Sequence, residues 1–128
     1  MKRQTAMWVR KAEEDWVGAR SLAAQVPPLR DLVCFHCQQA AEKYLKALLQ
    51  ESGAHVPKTH DLQALLELLL PIDASLAPLR KGMRSLSRHA VEYRYPGVRA
   101  TSRAMESALR HSERVRRELR TRLGHPPS

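Results

Sequence analysis

The sequence predicts an all-α protein, an up-and-down four-helix bundle with one short extra helix. Apolar residues recur at intervals of three and four along most of the chain, as they do on the buried face of a bundle helix. No segment alternates apolar and polar residues in the manner of a half-buried strand. Proline and glycine divide the 128 residues into five helical segments. Their short connections favour antiparallel neighbours.

The first two segments predict long helices. The first runs from about residue 5 to residue 26 and ends before two consecutive prolines. The second runs from about residue 29 to residue 52, and Gly53 after it suits a C-terminal cap. The residues predicted to face the core from these helices are Trp8, Ala12, Trp16, Ala19, Ala23, Val26, Cys34, Cys37, Ala41, Leu45 and Leu48.

The remaining three segments predict one short and two longer helices. They cover about residues 59–71, 73–95 and 102–123, and prolines bound the first two of them. Gly82 lies inside the fourth segment, where glycine costs roughly 0.5–1 kcal/mol relative to alanine. The predicted core residues are Leu62, Leu65, Leu66, Leu69, Leu76, Leu79, Met83, Leu86, Ala90, Met105, Ala108, Ser112, Val115 and Leu119.

The length fits a single domain over residues 1–128, with a core at about 5–123 and a frayed tail at 124–128. No run of about 18 apolar residues is present, so we expect no contact with a membrane. The N-terminal residues become charged again too early for a signal peptide, which predicts a cytoplasmic protein.

The two cysteines are Cys34 and Cys37, spaced C-x-x-C inside a predicted helix. This spacing is also typical of redox and zinc sites, but no second Cys/His cluster has metal-ligand spacing. We therefore expect two buried, small, apolar side chains. Accordingly, we expect neither a bound metal nor a cofactor.

The positive charge is confined to the C-terminal part of the chain. Residues 1–79 carry 9 basic and 9 acidic residues, whereas residues 80–128 carry 13 basic and 4 acidic ones, which accounts for the whole net charge of +9. A one-sided basic surface attracts nucleotides, RNA, DNA or an acidic protein. We expect these basic groups to gather along one exposed groove.

The stretch RSLSRHAVEYRYPG at residues 84–97 holds the first candidate site, the pair Arg84 and His89. Histidine exchanges a proton near neutral pH, and arginine presents a fork of donors to phosphate. Together they could cleave RNA without a metal. Five residues along one helix separate their directions by about 140°, so convergence requires a loosened helix or a second subunit. The alternative is a coincidental pair in an arginine-rich helix.

The end of the same stretch predicts a binding site for nucleotide or RNA. Arg88, Tyr93, Arg94 and Tyr95 are its candidate residues. An arginine between aromatic rings could hold a phosphate while a ring stacks on a base. The alternative is a helix-ending corner in which the rings pack and Arg94 pairs with an acid.

A polar seam of His36, Gln39 and Lys43 follows the second predicted helix. Such a seam indicates an internal network or a dimer contact, and contact with a ligand is the alternative. His60 lies at the start of the third helix, where we expect it to contribute to the cap.

Three stretches, in order, resemble HEPN domains, the nucleotide-binding domains of higher eukaryotes and prokaryotes. They are FHCQQAAEKYLKALL at 35–49, PKTHDLQALLELL at 57–69 and SRHAVEYRYPG at 87–97. The resemblance implies a bundle of four to five helices that is usually a homodimer. It also implies a separate minimal nucleotidyltransferase subunit as partner.

Several such pairs are toxin–antitoxin systems in which the HEPN member is a ribonuclease with an R-x4–6-H motif, here Arg84 and His89. Our leading hypothesis is a non-catalytic or weakly catalytic HEPN module that binds nucleotide or RNA. The second hypothesis is a metal-independent endoribonuclease toxin. The third is a protein-interaction bundle without enzymatic activity.

Overall fold

The computed structural model describes residues 1–88 and 91–128, and in this part of the chain every regular element is helical. The α-helices are α1 (Arg3–Ala23), α2 (Arg30–Glu51), α3 (Leu62–Leu69), α4 (Arg80–Glu92) and α5 (Ser102–Arg122), and a 3₁₀ helix (Ala74–Leu79) precedes α4. Four long helices form the bundle, and α3 is the short extra helix. The predicted fold class is confirmed.

Polar side chains and proline set the helix boundaries. The carboxylate of Asp61 caps α3 by accepting hydrogen bonds from the amides of Gln63 and Ala64 at 3.0 and 3.2 Å. Thr101 caps α5 in the same way. The fourth predicted helix begins later than expected, because Pro78 lacks an amide donor and the residues around it form the 3₁₀ helix.

Helix α2 is the centre of the bundle and contacts all four other α-helices. The side chains of Tyr44, Leu45 and Leu49 on this helix are fully buried. Alanines at positions 12, 19, 41 and 47 are also buried, and their small volume lets α1 approach α2 closely. The sequence pattern of α2 therefore determines where its neighbours pack.

The connection between α4 and α5 is fastened to the start of α2. The Arg30 guanidinium donates to the carbonyl of Ala100 at 2.8 Å, and the amide of Ala100 donates to the Asp31 carboxylate at 2.7 Å. Both backbone groups of one loop residue are thus held by consecutive residues of α2. These bonds fix the loop that follows Arg94.

A carboxylate on α1 joins three helices. Arg116 of α5 donates two hydrogen bonds to Glu13, at 2.7 and 2.8 Å, and the buried hydroxyl of Tyr44 on α2 donates to the same carboxylate. Arg120 lies 3.5 Å from it. Arg116 and Arg120 also donate to carbonyls of Pro127 and Pro126, so the tail predicted to fray makes hydrogen bonds with α5.

Gly82 allows α4 to approach α5. A Cβ atom there would lie 2.9 Å from the Nδ1 atom of His111.

We expect Gly82→Ala to lower the free energy of unfolding by about 1–2 kcal/mol, because this overlap exceeds the gain in helix propensity. Gly18→Ala is the control, since a Cβ there meets nothing within 4 Å. It should stabilise the protein by roughly 0.5–1 kcal/mol in urea denaturation, and a stabilised Gly82→Ala variant would contradict the close approach.

Glu13 makes stability depend on pH. Burial raises the pKa of its carboxyl, but hydrogen bonds from Arg116 and Tyr44 and the charges of Arg116 and Arg120 outweigh burial and lower the pKa below 4.5. The ionised Glu13 carboxylate therefore stabilises the fold fully above pH 4.5, and this stabilisation is lost as the pH falls through the lowered pKa. We expect Glu13→Gln to cost about 1–3 kcal/mol at pH 7.

The difference in unfolding free energy between Glu13→Gln and the unsubstituted protein should shrink as the pH of the urea denaturation falls towards 3. Protonation of Glu13 then removes the same charge from the unsubstituted protein. Glu14→Gln changes an exposed carboxylate next in the chain and serves as the control. A deficit for Glu13→Gln that stays constant between pH 7 and pH 3 would contradict this account.

Candidate functional site

Helix α2, the start of α3 and helix α4 enclose a cleft of about 510 Å³. Its size falls within the range of small-molecule binding sites. The residues that line the cleft are Gln38, Gln39, His60, Asp61, Gln63, Arg84, Ser87, Arg88, Val91 and Arg94. Arginines come from α4 and from the residues after it, whereas amides, a histidine and a carboxylate come from α2 and α3. The cleft thus has one basic wall and one mixed polar wall.

The basic wall consists of Arg84, Arg88 and Arg94. Arg84 and Arg88 are four residues apart, which places both on one face of α4. Both are exposed, and neither forms an ion pair with a residue in the described part of the chain. The guanidinium of Arg94 lies 5.8 Å from the centre of the Phe35 ring, within cation–π distance. Three arginines therefore face one cavity without a carboxylate partner among the described residues.

The mixed wall is fixed by the buried carboxylate of Glu42. Its oxygens lie 3.0 and 3.1 Å from Nδ1 of His60, and Lys46 donates to it at 3.1 Å. Gln38 donates to Glu42 at 3.3 Å and to the carbonyl of His60 at 3.1 Å. The side chain of Glu42 is 3 % exposed and that of His60 is 79 % exposed. A buried network therefore holds one side of an imidazole that is otherwise open to solvent.

The sequence-predicted binding residues separate into two groups. Arg88 and Arg94 line the cleft together with Arg84. Tyr93 is half-buried, packs against the core, and has a pKa that burial raises. Tyr95 is 65 % exposed and is absent from the cleft lining. The described aromatic contact of Arg94 is with Phe35, a residue that the sequence analysis did not single out.

The predicted pair of Arg84 and His89 is described only in part. Arg84 lines the cleft. His89 lies outside the described residues, so the catalytic pair stays a prediction. Arg84 is available for contact with an anion in either case, because its guanidinium is exposed.

The predicted polar seam of α2 divides between two sites. His36 and Lys43 both bind Asp15 of α1, with the Nδ1 of His36 2.8 Å from the carboxylate. Gln39 instead donates to the side-chain oxygen of Gln38 at 2.8 Å. Two members of the seam thus join an internal network, and the third lines the cleft.

The expectation that all the C-terminal positive charge gathers in one groove is wrong. In the described part of the chain, carboxylates of residues 1–79 pair with several of these arginines. Arg116 and Arg120 contact Glu13. The other such pairs are Arg80 with Glu67 at 2.9 Å and Arg122 with Asp73 at 2.7 Å. Long-range ion pairs thus neutralise part of the basic excess, and the cleft keeps only its three arginines.

Both cysteines are buried, as the helix pattern predicts. Burial raises the pKa of the Cys34 thiol to about 11 and that of Cys37 further still, so both are protonated thiols at neutral pH. Within residues 1–88 and 91–128, no three His, Cys, Asp or Glu side chains are grouped as metal ligands. Over the same residues, no helix has the length and apolar character needed to cross a bilayer.

Sequence reasoning missed Gln38, Glu42 and Lys46 and assigned His60 to a helix cap. A signal was present, since these three α2 residues recur every four positions and share one helix face. The cap of α3 is Asp61, which leaves the His60 side chain for the Glu42 network.

Comparison with known proteins agrees with this architecture. The model of the HEPN domain matches residues 5–122. The crystal structure of ST0689, an archaeal HEPN homologue, is 26% identical in sequence, covers 96% of this chain and 99% of its own, and has a TM-score of 0.75. The crystal structure of TT1696 from Thermus thermophilus is 25% identical, covers 89% of this chain and 94% of its own, and has a TM-score of 0.74.

The search of curated proteins finds no significant match. The family match spans nearly the whole chain, including the helices that enclose the cleft. The resemblance seen in three sequence stretches is thereby confirmed, and the chain belongs to the HEPN domain family.

Proposed function

We propose that the protein binds the phosphate groups of a nucleotide or of RNA in the cleft between α2, α3 and α4. The observation that carries this proposal is the set of three arginines on one wall without a carboxylate partner among the described residues. A guanidinium matches the geometry of phosphate oxygens and stays charged at every physiological pH. Cations that share a concave surface also concentrate an anion there.

The contrast with the paired arginines supports the proposal. Arg116 and Arg122 hold helices or loops together through Glu13 and Asp73, and their charge is balanced locally. Within residues 1–88 and 91–128, the cleft arginines have no such ion pair, and Arg94 has only its cation–π contact with Phe35. Their charge therefore remains available to an external anion.

The proposal includes partners that family membership suggests. We propose a homodimer that acts with a minimal nucleotidyltransferase, as one component of a toxin–antitoxin pair. Apolar side chains beside the basic wall support a protein contact there, since Leu32 and Val91 each line a cavity together with Arg94 and are 46% and 58% exposed.

A second candidate function is metal-independent cleavage of RNA by Arg84 and His89. The position of Arg84 in the cleft, without an ion pair among the described residues, favours it. Expression in a growing bacterium separates the two functions. Growth arrest that His89→Ala relieves supports cleavage. Continued growth with intact RNA, from folded protein that binds RNA in vitro, supports binding alone.

Removal of one cleft arginine should weaken binding of a short single-stranded RNA. We expect Arg84→Gln or Arg88→Gln to lower the affinity about five- to tenfold, because each removes one phosphate contact. Each should also reduce the slope of log affinity against log salt by about 0.7. Fluorescence anisotropy at several salt concentrations measures both quantities.

Arg114→Gln is the matched control for this experiment. Arg114 is an exposed arginine on α5 that lies outside the cleft lining, and its replacement changes the net charge by the same amount. We expect its effect on affinity to be less than about twofold. Equal losses for Arg84→Gln and Arg114→Gln would show that the cleft is not the binding site.

A further inference from the structure

The imidazole of His60 is anchored on one side and open on the other. Its Nδ1 lies 3.0 and 3.1 Å from the two oxygens of Glu42. The side chain is 79 % exposed and lines the cleft together with Arg84, Arg88 and Arg94. The Nε2 atom, on the far side of the ring, forms no hydrogen bond with any described residue. It is the ring nitrogen left for a ligand.

The Glu42 carboxylate determines which ring nitrogen carries the proton. This carboxylate already accepts hydrogen bonds from the Lys46 ammonium at 3.1 Å and the Gln38 amide at 3.3 Å. An ionised carboxylate has no proton to donate, so the contact with His60 requires a proton on Nδ1. In a neutral imidazole the other nitrogen is then an acceptor. With the imidazole in its neutral form, the mixed wall of the cleft thus presents a fixed hydrogen-bond acceptor.

A fixed acceptor selects a donor on the ligand. Phosphate oxygens are acceptors, so they pair with the arginines and not with Nε2 of neutral His60. A ribose hydroxyl can donate, and the 2′-hydroxyl is the group by which a protein distinguishes RNA from DNA. We propose that His60 makes this cleft selective for ribonucleotides by accepting a hydrogen bond from the ribose 2′-hydroxyl, an inference that rests on the proposed binding of nucleotide or RNA phosphate there.

The test compares three single-stranded probes of one sequence: RNA, DNA, and RNA with 2′-fluoro groups. The fluoro probe keeps an RNA-like sugar conformation but lacks the hydroxyl donor. Anisotropy titrations at one pH and one salt concentration give the three affinities. We expect RNA to bind about three- to tenfold more tightly than either other probe, the range that one hydrogen bond supplies.

The variant that tests the residue is His60→Phe, which keeps a flat ring and removes the acceptor. It should bind all three probes with similar affinity, close to that of the unsubstituted protein for DNA. Because the side chain is largely exposed, and Lys46 and Gln38 still hold Glu42, we expect the variant to fold. His60→Ala provides a second variant, and His55→Phe is the control, since His55 is exposed and lies outside the cleft lining.

The outcomes separate this inference from the proposal on which it rests. Binding of none of the probes would overturn both. Equal binding of RNA and 2′-fluoro RNA by the unsubstituted protein would overturn the role of the hydroxyl while leaving phosphate binding in place. A preference for RNA that survives in both His60 variants would assign the selectivity to another group and overturn the role of His60.

Discussion

The buried carboxylate of Glu42 is the interaction on which the cleft depends. Moving an ionised carboxylate into a protein interior costs several kcal/mol unless nearby groups replace its water. Lys46 and Gln38 on the same helix supply two such groups, and His60 supplies the third from the segment before α3. Because Gln38 also holds the carbonyl of His60, both backbone and side chain of this residue are placed relative to α2. The hydrogen bonds that compensate the buried charge of Glu42 thus also position the wall of the cleft that carries His60.

The arginines of this protein fall into two groups, those that pair with a carboxylate and those that face the cleft without one among the residues that the structure describes. On α5, Arg116 reaches a carboxylate of α1 that is partly shielded from water, and the pair joins the first and last helices. On α4, Arg84 and Arg88 face a cavity and meet no carboxylate in the described chain. A charge near a partner contributes to folding, whereas a charge left facing a cavity stays available to an external anion. The net charge includes the paired and the unpaired arginines alike, so it overstates the basic surface that is available to a ligand.

Much of the fold follows from the sequence because helical periodicity and proline positions are local properties. The five helical segments and most of the predicted core residues lie where the pattern indicates. The prediction for Val26 is wrong, because α1 ends at Ala23 and Val26 is 98% exposed, and Ala90 lies outside the described residues. The candidate site was predictable only in part. Arg84, Arg88 and Arg94 belong to one basic stretch and were found from it. Glu42 and His60 were missed, since the contact between residues 18 positions apart depends on how α3 packs against α2. The ion pair between Arg116 and Glu13, 103 positions apart, escaped prediction for the same reason.

The two walls of the cleft are held by different kinds of contact. Hydrogen bonds to Glu42 fix the wall that carries His60. The arginine wall depends instead on where α4 lies, and this is set at Gly82 by close packing against His111 and beyond the helix by the hold of α2 on Ala100. A small displacement of α4 would therefore move Arg84 and Arg88 while leaving the imidazole in place. In the proposed complex a nucleotide contacts both walls at once, so the distance between them limits which ligands fit. Packing between α4 and α5 at Gly82, two residues before Arg84, thus helps to set that distance.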